Sequence, residues 1–409
     1  MHVYYGGYIS RHILLSVTNR PTVSIVLPTY NEAENIKNVV SNLDALLKKS
    51  AYPYELILVD DDSPDGTWKI AQKLASEDFP NLRVIRRVGE RGLATAVLHG
   101  WSVAKGDCLA VIDADGQHPP QTLLELIECL VQGADIAVAS RHAEGGGVSD
   151  WSILRRFLSR GAQIIALVLV PSVARQVSDP MSGFFALRRA VVQGRELDPI
   201  GYKILLEVLG RGKYTNIREV SYVFLEREGG KSKVTKTQYW EYLQHLIRLG
   251  QQTGEIYRFL KFGLVGVSGV LVNLIALWLL KEKAAWPLWE SGIGAVEISI
   301  ISNFLLNDSW TFRAEAQRSP GLVSRLARLL RFNLICAFGA ILNVVCMLVL
   351  TQLLGVYYLA SQLVAVGISM FWNYTLNAIW NWQTKTDINQ PSLARRAWAG
   401  IRASLNSNN

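Results

Sequence analysis

The sequence predicts two architectures in one chain. Residues 21–235 read as an α/β domain with a doubly wound, mostly parallel sheet, and residues 255–385 as an all-α membrane domain of four helices. Three observations predict this. Short apolar runs of strand type alternate with helical periodicity in the first part. Long apolar runs with few charges fill the second. The residues that close the predicted strands are acidic, polar and glycine-rich, and a parallel sheet gathers its ligand-binding groups there. Residues 1–20 read as an N-terminal tail, 236–254 as an amphipathic helix at the membrane interface, and 386–409 as a cytoplasmic tail.

The chain has 409 residues and a net charge of +8. A basic balance suits nucleic acid, anionic lipid or an anionic substrate. No Lys/Arg tract is interleaved with aromatics, which argues against nucleic acid. Much of the excess flanks the apolar runs, which points to a membrane. Cys108, Cys129, Cys336 and Cys346 show no ligand spacing and read as reduced, structural thiols. The first twenty residues hold no apolar core long enough for a signal peptide, so the α/β domain is expected in the cytoplasm.

The first strand is Val23–Leu27, ending at Pro28-Thr-Tyr-Asn-Glu32, and a helix follows with Glu34 and Asn35 in its first turn. The second strand, Glu55–Val59, ends at Asp60-Asp-Asp-Ser-Pro-Asp-Gly-Thr67. The third, Leu82–Ile85, leads into the basic turn Arg86-Arg87. The fourth, from Cys108, ends at Asp113-Ala114-Asp115. Carboxylates at i and i+2 on extended backbone point the same way. They suit a hard divalent cation that also holds phosphates, and Gln117 can add an amide oxygen. Three such loops on one sheet edge predict a nucleotide site.

Four membrane spans are expected at roughly 260–280, 288–310, 332–354 and 358–380, each near the ~20 residues a bilayer needs. Arg313, Arg318, Arg325, Arg328 and Arg331 lie between the second and third, and Lys385, Arg395, Arg396 and Arg402 in the tail. The positive-inside rule then puts both termini in the cytoplasm. A shift of 70 residues lays Phe262 on Phe332, Gly269 on Gly339, Asn303 on Asn373, Asn307 on Asn377 and Trp310 on Trp380. That offset predicts a duplicated two-helix hairpin with parallel copies. The asparagine pairs read as interhelical hydrogen-bonding groups, or as a lipid or partner site.

The motifs Pro-Thr-Tyr-Asn-Glu, Asp-Asp-x-Ser-Pro-Asp-Gly-Thr, Gly92-Leu-x-Thr-Ala96 and Asp-Ala-Asp-x-Gln-His-Pro-Pro resemble those of dolichyl-phosphate mannose synthases, in glycosyltransferase family 2. Further matches run through Ser140-Arg141, Asp179-Pro-Met-Ser-Gly183, Gly201-Tyr-Lys203 and Arg227–Lys233. The second half resembles the four-helix domain of GtrA-like proteins. The resemblance implies a GT-A fold and inverting transfer of a hexose from a nucleotide-diphosphate sugar to a polyprenyl phosphate lipid. GDP-mannose is the expected donor, and UDP-glucose the alternative.

By motif, the resemblance implies that Pro28, Tyr30, Glu32, Val59 and Asp61 line the nucleoside, with Ala114 at the nucleotide. It implies Mg²⁺ or Mn²⁺ on Asp113, Asp115 and Gln117, and phosphate contacts from Arg141, Arg227 and Lys233. Asp115 and Arg141 are the expected catalytic residues. Gly116, Asp62 and Phe185 depart from the commonest pattern, which bears on sugar or base preference.

The chemistry also needs cations for the acceptor, because two anionic reactants must meet. Arg155, Arg156 and Arg160 cluster on one side of a helix that runs into the apolar stretch Ile164–Val170. Arg155, with Ser159, reads as the acceptor-phosphate site rather than as part of a solvated face. Gly229–Thr235 reads either as a lid over the diphosphate or as a linker. His118 reads as a turn-shaping residue rather than a metal ligand. A processive synthase would carry a Gln-x-x-Arg-Trp motif, which is absent. A lipid-linked sugar translocator is the reading from another class, and a homo-oligomer is left open.

Overall fold

A computed structural model describes residues 20–148, 153–225 and 236–383, with the backbone alone for 153–158 and 236. The α/β part runs β1 (Val23–Thr29), α1 (Ile36–Lys49), β2 (Tyr54–Asp60), α2 (Thr67–Glu77), β3 (Leu82–Arg86), α3 (Leu93–Val103), β4 (Cys108–Val111), α4 (Pro120–Val131) and β5 (Ile136–Ser140). It continues with β6 (Gly147–Val148), α5 (Ile153–Leu169), α6 (Pro171–Ala174), β7 (Phe185–Arg188), α7 (Ile204–Arg211), β8 (Ile217–Ser221), β9 (Val223–Phe224) and α8 (Lys236–Thr253).

Seven strands form one sheet in the order β3-β2-β1-β4-β7-β5-β8. All neighbours are parallel except β7, which is antiparallel to both β4 and β5. Alternation along each strand sends Val26, Ile57, Val59, Leu109 and Val111 to one face, and Ile25, Leu27, Leu56, Leu58 and Ala110 to the other. Helix α1 covers the second face with Ile36, Val40, Leu43 and Leu47, a helical stripe of one-turn spacing. The strand order reverses between β1 and β4. Their carboxyl ends therefore flank the switch-point crevice where such sheets bind ligands.

The helix expected at the membrane interface is also part of the catalytic core. Tyr242, Leu246 and Leu249 of α8 are buried against the sheet's helical layer, while Trp240 is 61% exposed on the other side. Gly210 of α7 permits this contact, since a Cβ there would lie 2.6 Å from Leu249 Cδ1.

The membrane part comprises α9 (Glu255–Trp278), α10 (Leu288–Leu306), α11 (Arg313–Ala316), α12 (Leu322–Leu348) and α13 (Tyr358–Leu376). Helices α9 and α10 pair as one hairpin, α12 and α13 as another. Each long helix ends in a π-helical turn, at Leu279–Lys283, Asn307–Thr311, Val349–Leu353 and Asn377–Asn381. These turns recur at the 70-residue offset read from the sequence.

Among the described residues, two helical stretches, Glu255–Lys283 and Leu322–Leu353, are long and apolar enough to cross a membrane. Helices α10 and α13 fall short of that because amides, hydroxyls and, in α10, the carboxylates of Glu290 and Glu297 dilute them. Asn303 packs against Gly269, and Asn373 against Gly339, so the amides sit at helix–helix contacts as expected. The next amides differ. Asn307 and Asn377 donate to carbonyls of their own helices, Asn303 O at 2.9 Å and Asn373 O at 2.7 Å. Glu297 accepts from Asn333 Nδ2 at 3.2 Å.

The two halves meet through α5, α6 and the end of α13, where Arg175 Nη1 donates to Ile379 O at 2.9 Å. Beside this junction Asp308 is a buried hub. It accepts from Arg328 Nε at 2.9 Å and Trp382 Nε1 at 3.0 Å, and lies 3.2 Å from Arg325 Nε. Breaking a buried pair from one side strands a charge and costs roughly 3–5 kcal/mol. Asp308→Ala should therefore lower the unfolding temperature of the detergent-solubilised protein markedly. An unchanged melting curve would show that the hub is solvated.

Candidate active site

The crevice between β1 and β4 is built first by hydrogen bonds among the loops. Asp60, at the end of β2, is wholly buried. It accepts from Thr29 Oγ1 at 2.9 Å, Ser63 N at 2.8 Å and Ser63 Oγ at 2.7 Å. Ser63 Oγ accepts from Asn31 N at 2.9 Å, and Thr67 Oγ1 from Glu32 N at 2.9 Å. Asp65 accepts from Ala33 N at 3.0 Å. The β2 loop thus fixes the β1 loop that carries Tyr30 and Glu32. Gly66 makes the turn into α2 at φ +81°, where a side chain would be strained.

Three consecutive aspartates therefore have three roles. Asp60 fastens the strand ends. Asp62 is half-buried and pairs with Arg86 at 2.6 Å. Asp61 faces inward, accepting from Arg87 Nε at 2.7 Å and Gly92 N at 2.8 Å. Burial raises the Asp61 carboxyl above its ordinary value, while the Gly92 amide and Arg87 pull the other way.

Asp113, Ala114 and Asp115 follow β4 at the same edge, so the structure brings together the residues of the first three loops. Asp113 Oδ1 is buried and has no hydrogen-bond partner among the described residues. The opposite oxygen faces His118 Nε2 at 3.4 Å and the Gly183 backbone, where a Cβ would lie only 2.8 Å away. Gln117 Nε2 donates to Leu225 O at 2.8 Å, which turns the amide oxygen away from that carbonyl. A buried, unpartnered carboxylate oxygen beside Asp115 and an amide oxygen is a donor set that fits a hard divalent cation. His118 packs among Phe184, Tyr222 and Phe224 at ring distances of 5.0–5.6 Å. It backs Asp113 and shapes the turn.

On the other side of the crevice, Arg141 follows β5. Its fork is held by Asp179, Nε to Oδ2 at 2.6 Å and Nη2 to Oδ1 at 2.9 Å, and Asp179 is wholly buried. Burial tends to raise the Asp179 carboxyl, but Arg141 outweighs it and holds the group below the usual carboxylate range. Lys203 is a cation to which the sequence assigned no role, although it lies in the Gly-Tyr-Lys motif. Its Nζ donates to Met181 O at 2.9 Å. Burial, with Arg141, pulls its ammonium down to about 8, against the fields of Asp179 and Asp113.

Ser159 is half-buried on α5, and Arg155 lies one turn before it on the same helix. The side chain of Arg155 lies outside the described residues, as do Arg227 and Lys233. Pro28 and Val59 stand at paired positions of β1 and β2, at the crevice.

Two family models match the chain: glycosyl transferase family 2 over residues 24–195, and the GtrA/DPMS transmembrane domain over residues 261–382. The chain is 43% identical over 362 residues to a dolichol-phosphate mannosyltransferase of Pyrococcus furiosus, covering 88% of this chain and 99% of that protein. It is 37% identical over 265 residues to the dolichol-phosphate mannosyltransferase of Saccharomyces cerevisiae, covering 62% and 92%. A polyprenol monophosphomannose synthase of Mycolicibacterium smegmatis is 33% identical over 228 residues, covering 53% and 83%. Family models for both halves, with a relative matched along nearly its whole length, place the chain in the dolichol-phosphate mannosyltransferase family, as a glycosyltransferase with a GT-A catalytic domain and a GtrA/DPMS membrane domain.

Proposed function

We propose that the protein transfers mannose from GDP-mannose to a polyprenyl monophosphate, with inversion, at the cytoplasmic face of the membrane. The observation that carries this reading is the 43% identity to a dolichol-phosphate mannosyltransferase over 99% of its length. An oxygen of the acceptor phosphate attacks the anomeric carbon. The bond from that carbon to the β-phosphate oxygen breaks, and GDP leaves. The attacking oxygen is already anionic near neutral pH, so no strong general base is needed. The barrier is the approach of like charges and the charge left on the diphosphate.

Each residue of the crevice serves that problem. Pro28, Tyr30, Glu32, Val59 and Asp61 line the nucleoside, with Ala114 beside it. Asp113, Asp115 and Gln117 are the residues that would hold Mg²⁺ or Mn²⁺. Such an ion, when bound, stabilises the leaving diphosphate. Arg141 presents a guanidinium already oriented by Asp179, so little reorganisation accompanies charge development. Lys203 adds a cation behind it, and Arg227 and Lys233 complete the phosphate ligands. Helix α5 packs against α13, which supports Arg155 and Ser159 as the acceptor-phosphate site beside the bilayer. We divide the chain into a tail (1–20), catalytic domain (21–235), interface helix (236–254), two parallel membrane hairpins (255–385) and a cytoplasmic tail (386–409). Both termini then lie in the cytoplasm. Purified enzyme offered polyprenyl phosphate and labelled GDP-mannose or UDP-glucose tests the donor; transfer of glucose alone would overturn it.

Three expectations follow from this chemistry. Asp115→Asn should lower kcat by about a hundredfold or more, and native activity should stop in EDTA and return with Mg²⁺ or Mn²⁺. Undiminished turnover in EDTA would count against the metal site. Lys203 is charged below its value of about 8 and neutral above it. Its help in holding anions is thus present near neutral pH and fades as pH rises through about 8, so the donor KM should climb. Lys203→Arg, which stays charged, should flatten that climb. A native donor KM that stays level through this range would remove Lys203 from the anion site. Arg155→Ala should raise the acceptor KM about tenfold to a hundredfold with the donor KM unchanged. Normal acceptor dependence would return Arg155 to a solvated helix face.

A further inference from the structure

Helix α8 packs on the catalytic half through Tyr242, His245, Leu246 and Leu249, spaced as one face of a helix. His245 is only 1% exposed, and no step of the transfer uses it. Burying an imidazole is costly unless its polar atoms are bonded. Here Nδ1 accepts from Ile200 N at 3.2 Å. Burial pulls the ring down to about 4, so near neutral pH it is uncharged. With Nδ1 accepting, the proton sits on Nε2, 3.9 Å from Glu207 Oε2.

Ile200 belongs to the turn that delivers Lys203 to the crevice. Asp198 N donates to Glu207 Oε1 at 2.8 Å, and the Asp198 carboxylate pairs with Arg248 of α8. Gly201 O accepts from Ala94 N at 3.3 Å. Gly201 takes φ +76° close against α8, where a Cβ would lie 3.3 Å from Glu241 Cβ. Lys203 follows at the head of α7, with its ammonium in the fields of Asp113, Asp179 and Arg141. The His245 bond thus grips the middle of the turn. An apolar ring at this position would fill the same space but leave the Ile200 amide without that acceptor.

One turn earlier on the same face, Tyr242 donates its hydroxyl to Ala162 O at 2.7 Å. Ala162 lies on α5, one turn after Ser159 of the proposed acceptor-phosphate site. A single helix therefore holds the turn before Lys203 with one side chain and the acceptor helix with another.

We propose that His245 is a positioning residue that holds the 198–203 turn so that Lys203 meets the donor diphosphate, and that with Tyr242 it makes α8 the spacer between donor and acceptor sites. The inference rests on the reading that Lys203 is an anion-binding cation of the site.

Steady-state kinetics of the full chain in detergent, with each substrate varied separately, tests it. His245→Phe keeps a ring but has no acceptor, and should raise the donor KM about tenfold, the factor a lost charge-assisted contact is worth. The acceptor KM should stay near native. His245→Asn should restore the donor KM, because its amide oxygen reaches the Nδ1 position. His245→Gln carries its oxygen out toward the Nε2 position and should not. Tyr242→Phe should raise the acceptor KM alone, and a native acceptor KM there overturns the spacer role of α8. A double-mutant cycle separates positioning from a general loss of structure. In a Lys203→Gln background, His245→Phe should have no further effect on the donor KM, whereas a merely structural defect would add to it. If His245→Phe does not fold, His245→Gln takes its place in the cycle. A native donor KM in the folded single variant, or additivity in the cycle, overturns the role of His245. A native donor KM for Lys203→Gln alone overturns the reading of Lys203 instead.

Discussion

The catalytic half depends on buried charges held in pairs. Arg87 with Asp61 and Arg141 with Asp179 sit on opposite sides of the crevice, and each pair places a guanidinium where water is scarce. Unpaired, either ion would be too costly to bury. Paired, each is a rigid group whose geometry is settled before any ligand arrives, so ordering costs fall on folding rather than on binding. Asp60 has the same effect without a cation, using three hydrogen bonds to lock two loops together. The crevice is thus preorganised from below, with its β1 and β2 loops bound to each other.

Much of this was legible in the sequence. Strand ends announce themselves where apolar runs stop, and β1, β2 and β4 stop at the motifs that carry the site. The distinction among Asp60, Asp61 and Asp62 was not legible, because three identical side chains in a row acquire their roles from partners far along the chain. Arg87 read as a basic turn. Its burial follows from Asp61 and Gly92, which no local pattern places next to it. Asp179 and Lys203 lay inside recognised motifs without assigned chemistry. Their neighbours are brought in by β7, the antiparallel strand whose insertion between β4 and β5 is a matter of topology rather than of periodicity.

The membrane half shows the converse. Residue identities recur there at a fixed offset, and the structure repeats the π-helical ends at the same offset. The copies diverge where they meet the catalytic domain. Arg258 pairs with Glu255 and Glu315, whereas Arg328, its counterpart, pairs with Asp308. Helices α10 and α13, which pack on α9 and α12 through amides and serines, are less apolar than those two helices.

The bond from Arg175 to the Ile379 carbonyl, together with the seat of α5 on α13, has a further consequence. The crevice is not tethered above the bilayer by a slack linker. Packing sets its altitude. An enzyme held at one height meets a lipid acceptor by lateral diffusion in a plane, and the encounter frequency is governed by surface density of the acceptor rather than by its bulk concentration. Only phosphates lying at that depth are sampled, whatever the length of the chain below them.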